Sequence, residues 1–287
     1  MKDLTVFVLT HNRGELLLET IDSVLKQTCH DFKFIVSDNS SNDETMKMLE
    51  EKKYLDKFEY RKRDREYSSF EHFNLCLKEV NTKYFVLFHD DDIMLDDYVE
   101  TMYNEIKNSN YVAVGCNAKK LFDKNKKKYI CSVKNNKILY NKNKLIKYYL
   151  TCNVVPFPSY IYCKDKIQNH YFSNEIGKYS DVKWLIDISN EGPLKWLSRS
   201  LMLYRFHTNQ DSTFFDVLNQ FKLAKYFLKN GLSFNLYNLY RCRIIYIYTS
   251  IKKKNYPLKI FKKYAFLQIY LKALIKKSFI YTIIKRG

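Results

Sequence analysis

Lys83-Tyr84-Phe85-Val86-Leu87-Phe88-His89-Asp90-Asp91-Asp92-Ile93-Met94 is the stretch on which the reading of the whole chain turns. Its first half, Tyr84 to Phe88 with Val80 just before, has the continuous apolar character of a buried strand. The run stops at three consecutive carboxylates beside an imidazole. A buried strand that delivers acids to its C-terminal edge is where an open α/β sheet places its ligand site. Adjacent carboxylates repel one another, so three Asp in a row need a cation or solvent to compensate them. Oxygen ligands of this kind suit Mg2+ or Mn2+, which keep waters and share a substrate's phosphates. On these residues alone a solvated acidic turn, with Asp92 capping a helix from Met94 to Ile106, reads equally well.

Upstream, the same grammar repeats. Leu4 to Leu9 is an apolar strand followed by the polar loop Thr10-His11-Asn12-Arg13-Gly14, then by helical spacing of Leu16, Leu17, Ile21, Val24 and Leu25. Phe32 to Asp38 is a second strand ending on an acid, and Asn39 to Asp43 is rich in turn and cap formers, with Asn42 or Asp43 capping a helix from Glu44 to Lys53. Phe58 to Tyr60 reads as a third strand and Phe70 to Val80 as a helix. Strands and helices alternating at this spacing build βαβ units with a parallel sheet. The loops at 10–14, 38–43 and 89–92 then gather on one edge, where three polar strand ends meeting in a crevice form a nucleotide site more readily than three unrelated turns.

These residues resemble the family 2 glycosyltransferases with a GT-A fold. The likeness rests on Val8-Leu9-Thr10-His11-Asn12-Arg13, on Gln27-Thr28 before a strand ending Val36-Ser37-Asp38-Asn39-Ser40-Ser41-Asn42-Asp43, and on Phe88-His89-Asp90-Asp91-Asp92. It implies an α/β protein with a mostly parallel, Rossmann-like sheet, flanking helices and a nucleotide-sugar donor, most simply a UDP-sugar. Leu9, Thr10, His11, Asn12, Arg13, Asp38, Asn39, Asp90 and Asp91 are the implied donor-binding positions, with Asp38 accepting the base's ring N–H. The family's usual Tyr of the first loop is His11 here, and the usual Asp at the head of the acidic motif is His89.

Downstream, Ile93 to Asn108 reads as a helix and Tyr111 to Cys116 as a strand. The segment Asn153 to Tyr162 holds two of the chain's four prolines and reads as a rigid loop entering a strand. In the resembling enzymes such a segment lies near the acceptor; a loop packed under the sheet fits it as well. Ser180 caps a helix with Asp181 in its first turn, which a helix dipole alone would favour. The resemblance implies instead that Asp181 is the catalytic base of an inverting transfer. Tyr204-Arg205-Phe206-His207, with Gln210 and Ser212 beyond, matches a family pattern in which Arg205 and His207 approach the diphosphate and metal. The implied metal set is then Asp91, Asp92 and His207, with Mn2+ or Mg2+ as the ion.

The 287 residues carry 16% aromatic side chains and only six glycines, which argues against disorder. Seven cysteines without a Cys-x-x-Cys pair indicate neither a zinc site nor a disulfide framework, and suggest a reducing compartment. The start of the sequence lacks the features of a signal peptide, and no uncharged apolar run approaches a membrane span.

The net charge of +18 is unevenly placed: residues 217–287 hold 16 Lys or Arg and no acid, leaving 33 basic and 31 acidic residues before them. The expected organisation is therefore a catalytic domain over 1–216, with a nucleotide-binding half at 1–115 and an acceptor half at 116–216, followed by a basic amphipathic helical segment. Ile260, Tyr264, Leu267, Leu271, Leu274 and Ile275 share a face there, flanked by lysines. Such helices lie on anionic bilayers. Helices packed on the body with solvated lysines are the other reading, and nucleic acid is disfavoured because the segment is as apolar as it is basic.

The sequence thus leads us to expect an inverting, metal-dependent glycosyltransferase in the bacterial cytoplasm, at the inner face of the membrane. It would act on a glycan or lipid-linked acceptor in surface-polysaccharide synthesis. The alternative is a non-catalytic sugar-nucleotide-binding or scaffolding protein on the same fold.

Overall fold

The computed structural model describes residues 3–122, 129–130, 133–151, 153–167, 169–206 and 216–252. The chain opens with β1 (Leu4–Thr10), α1 (Glu15–Leu25), β2 (Lys33–Asp38), α2 (Glu44–Glu51), β3 (Glu59–Lys62), α3 (Ser69–Glu79) and β4 (Tyr84–His89). β5 (Ile93–Met94), α4 (Tyr98–Ile106), β6 (Ala113–Phe122), β7 (Tyr129–Ile130), β8 (Lys137–Leu139) and α5 (Lys142–Leu150) follow. The remainder is β9 (Ile161–Cys163), α6 (Ser180–Ile188), β10 (Leu194–Phe206), α7 (Val217–Lys229) and α8 (Phe234–Lys252).

The described strands form one sheet in the order β3-β2-β1-β4-β9-β6-β10-β5, with β7 on β6 and β8 on β10. The first four are mutually parallel, and β9 runs antiparallel between β4 and β6. Side-chain alternation along β1 shows why it lies at the centre. Leu4, Val6 and Val8 face a layer made by α1, α2 and α4, while Phe7 and Leu9 face α3, α5 and α6. Ser68 and Glu71 form a capping box that starts α3, the Glu71 carboxylate accepting from the Ser68 amide at 3.0 Å.

Two expectations change. The helix expected over 93–108 begins at Tyr98, because Ile93 and Met94 pair antiparallel with Leu203 and Met202 of β10. Asp92 caps no helix; its Oδ1 accepts the Arg205 amide at 2.9 Å. In addition, the boundary drawn at 216 follows charge rather than packing. Leu223, Ala224 and Phe227 of α7 and Leu236, Tyr240 and Ile244 of α8 are buried in the same cluster as Phe7, Leu87 and Trp184. The described part of the basic segment is thus bound into the body, and the amphipathic face expected around 260–275 lies outside the described residues. Among those residues, no helix is long and apolar enough to cross a membrane.

Phe227 is fully buried. Phe227→Ala should therefore destabilise the protein by about 3–5 kcal/mol in denaturant titrations, with one shifted cooperative transition. An unshifted midpoint would mean that α7 is detachable.

Candidate nucleotide and metal site

The register of the central strands brings the first three loops together. Leu9 pairs with Ser37 on one side and with His89 on the other, and Thr10 pairs with Asp38. The loop after β1 turns sharply through Asn12 and Gly14, at φ 53° and 56°, and folds over the acidic motif. The His11 amide donates to Asp90 Oδ2 at 3.0 Å and Arg13 Nε to Asp90 Oδ1 at 3.1 Å. A second arm of the Arg13 guanidinium lies 3.5 Å from Asp91 Oδ2. Asn12 is tied to the second loop, its amide donating to Ser40 Oγ at 2.9 Å. The imidazole of His11 is half exposed and meets Glu66 at 2.7 Å across the crevice.

Asp38 sits where expected but is fully buried. One oxygen accepts the Ser40 amide at 2.8 Å; the other accepts the Tyr60 hydroxyl at 2.5 Å and lies 3.5 Å from Lys62 Nζ. In this conformation both oxygens of Asp38 are already partnered and Asp38 organises the loop, with Lys62 Nζ also held by the Ser40 carbonyl at 3.0 Å. Asn39 holds the segment after β3, bonding both the amide and the carbonyl of Tyr67.

The three acids of the motif take different roles. Asp90 is spent on the first loop, and burial, partly offset by Arg13, holds its carboxyl up at about 6. Asp91 and Asp92 are almost completely buried, and a ligand atom from each lies within 4.8 Å of a ring nitrogen of His89 and of the other. Burial, then the charge of Asp91, raises the Asp92 carboxyl well above its ordinary value, and Asp92 Oδ2 is buried with no hydrogen-bond partner among the described residues. Burial lowers the His89 imidazole, keeping it neutral with a lone pair to offer. An orphaned buried carboxylate oxygen beside a second carboxylate and a neutral imidazole fits a divalent cation. His207, expected as a ligand, lies outside the described residues. His89, noted in the sequence only as a departure from the family pattern, joins the group because β4 runs one residue further than its apolar run and carries His89 to the sheet edge.

Arg205 is brought to the site, but beneath it. It is buried, donating from Nε to the Asp91 carbonyl at 2.9 Å and from a terminal nitrogen to Glu19 Oε2 at 2.5 Å. Thr20 supports the same turn, its hydroxyl donating to the Asp92 carbonyl at 2.8 Å. Nothing in the spacing of α1 singles out Glu19 or Thr20; only the fold places α1 under the motif.

Asp181 lies in the first turn of α6. Phe157 lies 6.0 Å from the His89 ring and 6.5 Å from Tyr162, one of three phenols, with Tyr149 and Tyr179, that are close enough to Asp181 for its charge to raise their titration. Burial pushes the Asp181 carboxyl up to about 6, against the hydrogen bonds of the helix N-terminus.

The family model described as glycosyl transferase family 2 matches residues 5–168, more than half of the chain. The protein belongs to this family. Poly(ribitol-phosphate) beta-N-acetylglucosaminyltransferase TarP of Staphylococcus aureus is 34% identical over 114 residues, 38% of this chain and 35% of the relative. A teichoic acid poly(glycerol phosphate) polymerase of Staphylococcus epidermidis is 31% identical over 107 residues, 37% of this chain and 15% of the relative. The match thus spans well under half the length of either relative. In the solved structures, S. aureus TarS 1–349 in complex with UDP-GlcNAc superposes with a TM-score of 0.64 at 15% identity, over 92% of this chain and 79% of that one. The mannosyltransferase PcManGT from Pyrobaculum calidifontis, in complex with GDP-Man and Mn2+, gives 0.60 at 12% identity, over 96% and 86%. The fold of this family 2 member is therefore GT-A, as its sequence motifs led us to expect.

Replacing Asp91 and Asp92 together with Asn keeps an acceptor for the Arg205 amide and removes the charge that would meet a cation. The double variant should keep one cooperative transition, its midpoint moved by the loss of the buried charges, yet show no further Mn2+-dependent shift with nucleotide sugar. An undiminished Mn2+-dependent shift would remove these residues from the metal site.

Proposed function

We propose that the protein transfers a sugar from a nucleotide-activated donor to an acceptor hydroxyl with inversion, using Asp181 as the base and His89, Asp91 and Asp92 to hold Mn2+ or Mg2+. The observation that carries this reading is the grouping of those three side chains at the edge where the β1, β2 and β4 loops meet. When bound, the cation neutralises the diphosphate as charge develops on it. Arg13, already paired with Asp90 and Asp91, supplies further positive charge on the crevice side. The half-exposed His11 ring can stack on a base once its contact with Glu66 opens. Asp181 takes the proton of the acceptor hydroxyl as that oxygen bonds to the anomeric carbon, and the bond to the diphosphate breaks on the opposite face with its electron pair leaving on phosphate oxygen. The rings of Phe157, Phe172 and Trp184, packed in series from His89 to the helix that carries Asp181, give this part of the protein an apolar lining.

UDP-N-acetylglucosamine is the first donor to test, supported by the relative named for N-acetylglucosaminyl transfer. A glycan or lipid-linked intermediate of a bacterial surface polysaccharide is the acceptor this reading favours, with the basic segment meeting an anionic membrane from the cytoplasmic side. A second reading of the charge is that the segment meets the acceptor itself, because both curated relatives are named for polymers that carry phosphate.

A thermal-shift screen of nucleotide sugars with and without Mn2+ tests the donor, since a ligand at 100 times its dissociation constant stabilises by ~2.7 kcal/mol. Asp181→Asn should leave that shift intact and lower turnover roughly 10²–10⁴-fold. With its carboxyl at about 6, the parent's turnover should fall as pH drops below about 6, where Asp181 becomes protonated. Parental turnover in Asp181→Asn would end its assignment as the base. At low salt the full chain should sediment with anionic vesicles and be released at high salt, because surface attraction decays over ~10 Å at 0.1 M. A chain that ignores such vesicles contradicts the membrane assignment.

A further inference from the structure

The approach to α6 is an irregular segment, Asn174–Tyr179, kinked where Gly177 takes φ 59°. The first turn of α7 lies directly against this kink. A Cβ at Gly177 would come within 2.2 Å of the Asn219 side-chain nitrogen, so only a residue without a side chain allows the approach. Asn219 is fixed in turn by the residue that caps its helix: its backbone amide donates to Asp216 Oδ1 at 3.0 Å and its side chain to Asp216 Oδ2 at 2.6 Å.

The next residue of α7 carries the contact further. Gln220 Nε2 donates to the Tyr179 hydroxyl at 2.6 Å, and Gln220 Oε1 accepts from the Tyr240 hydroxyl of α8 at 2.6 Å. A primary amide can donate and accept at once, which lets one side chain join two phenols. The result is a hydrogen-bonded chain from α8 through α7 to a residue two positions before Asp181. Tyr179, Gln220 and Tyr240 also line a cavity of about 160 Å3 with Tyr149, Val182 and Arg243, directly behind the first turn of α6. On the other flank of α6, Lys183 bonds Asp187 at 2.7 Å, and Tyr226 of α7 donates to that same carboxylate.

We propose that Gln220 and Tyr179 are positioning residues for Asp181, and that the C-terminal helices thereby set the orientation of the catalytic base. This rests on the reading of Asp181 as the base. α7 and α8 are then part of the acceptor half in function as well as packing, and a partner that displaced α8 would disturb the base without touching the donor site. The groups around Asp181 are the phenols of Tyr149, Tyr162 and Tyr179, with Arg243 of α8 on the cavity wall and Asp216 at the start of α7. Asp181 is held near 6 by burial, so loosening the turn in front of it admits water and lowers its pKa toward the ordinary carboxylate value.

The test uses the full chain and UDP release from UDP-N-acetylglucosamine or UDP-glucose, whichever the thermal-shift screen selects. Gln220→Leu and Tyr179→Phe should keep the donor KM within about twofold and lower kcat about tenfold, the scale on which a displaced group costs rate. Both should also move the acid limb of the kcat profile to lower pH. Tyr179→Phe keeps the ring and its packing, so it carries the test if Gln220→Leu does not fold. Folded variants with parental kcat and an unmoved acid limb overturn the inference, and a lowered melting temperature alone marks these residues as packing only. Asp181→Asn separates the two levels. If it turns over normally, both the base assignment and this inference fail; if it is inactive while both positioning variants are parental, only the inference fails.

Discussion

The compensation of buried negative charge at the end of β4 is the constraint on which the rest of the architecture depends. Asp90, Asp91 and Asp92 are each 5% exposed or less. Carboxylates so close and so dry are costly unless paired. Two arginines from distant parts of the sequence answer this. Arg13 reaches Asp90 and Asp91 from the β1 loop, and Arg205 reaches the Asp91 carbonyl and, through its amide, Asp92 from β10. The short β5–β10 pairing and the fold-over of the β1 loop are the geometric means of delivering them. Among the described residues nothing hydrogen-bonds Asp92 Oδ2, and that oxygen lies with Asp91 and His89 in a group that could hold a metal ion.

The second organising feature is that the basic C-terminal helices belong to the core. Composition divides the chain at residue 216, because no acid follows it. Packing does not divide it there: Phe227 and Ile244 are as buried as Phe85 and Trp184, within one cluster. A helix can bury one apolar stripe and still present lysines on its other face. α7 thus keeps Lys222, Lys225 and Lys229 exposed while its Tyr226 hydroxyl bonds Asp187 of α6.

Much of the fold was legible because its signals are local. β1, β2 and β4 are short apolar runs bounded by loops rich in Asn, Asp and Ser, and they end within a residue or so of where the pattern stops. The convergence of the loops was legible from the strand ends, which bring Leu9 to Arg13, Asp38, Asn39 and the acids of the motif to one edge. It was not legible where tertiary pairing decides. Ile93 and Met94 look like the start of a helix until β10 pairs with them, and the burial of Asp38 depends on Tyr60 and Lys62 across a strand pair. The His89 pattern showed a substitution but not that its ring would lie within 4.8 Å of Asp91 and Asp92.

The central claim is that Asp91, Asp92 and His89 hold a divalent cation at the meeting point of the three loops. Anomalous diffraction from crystals grown with Mn2+ and UDP tests it most directly. The account predicts one strong manganese peak within coordination distance of Asp91 and Asp92, with the diphosphate on its open side and Asp90 still turned toward Arg13. A bound nucleotide whose manganese peak lies away from these side chains, or is absent, would contradict it.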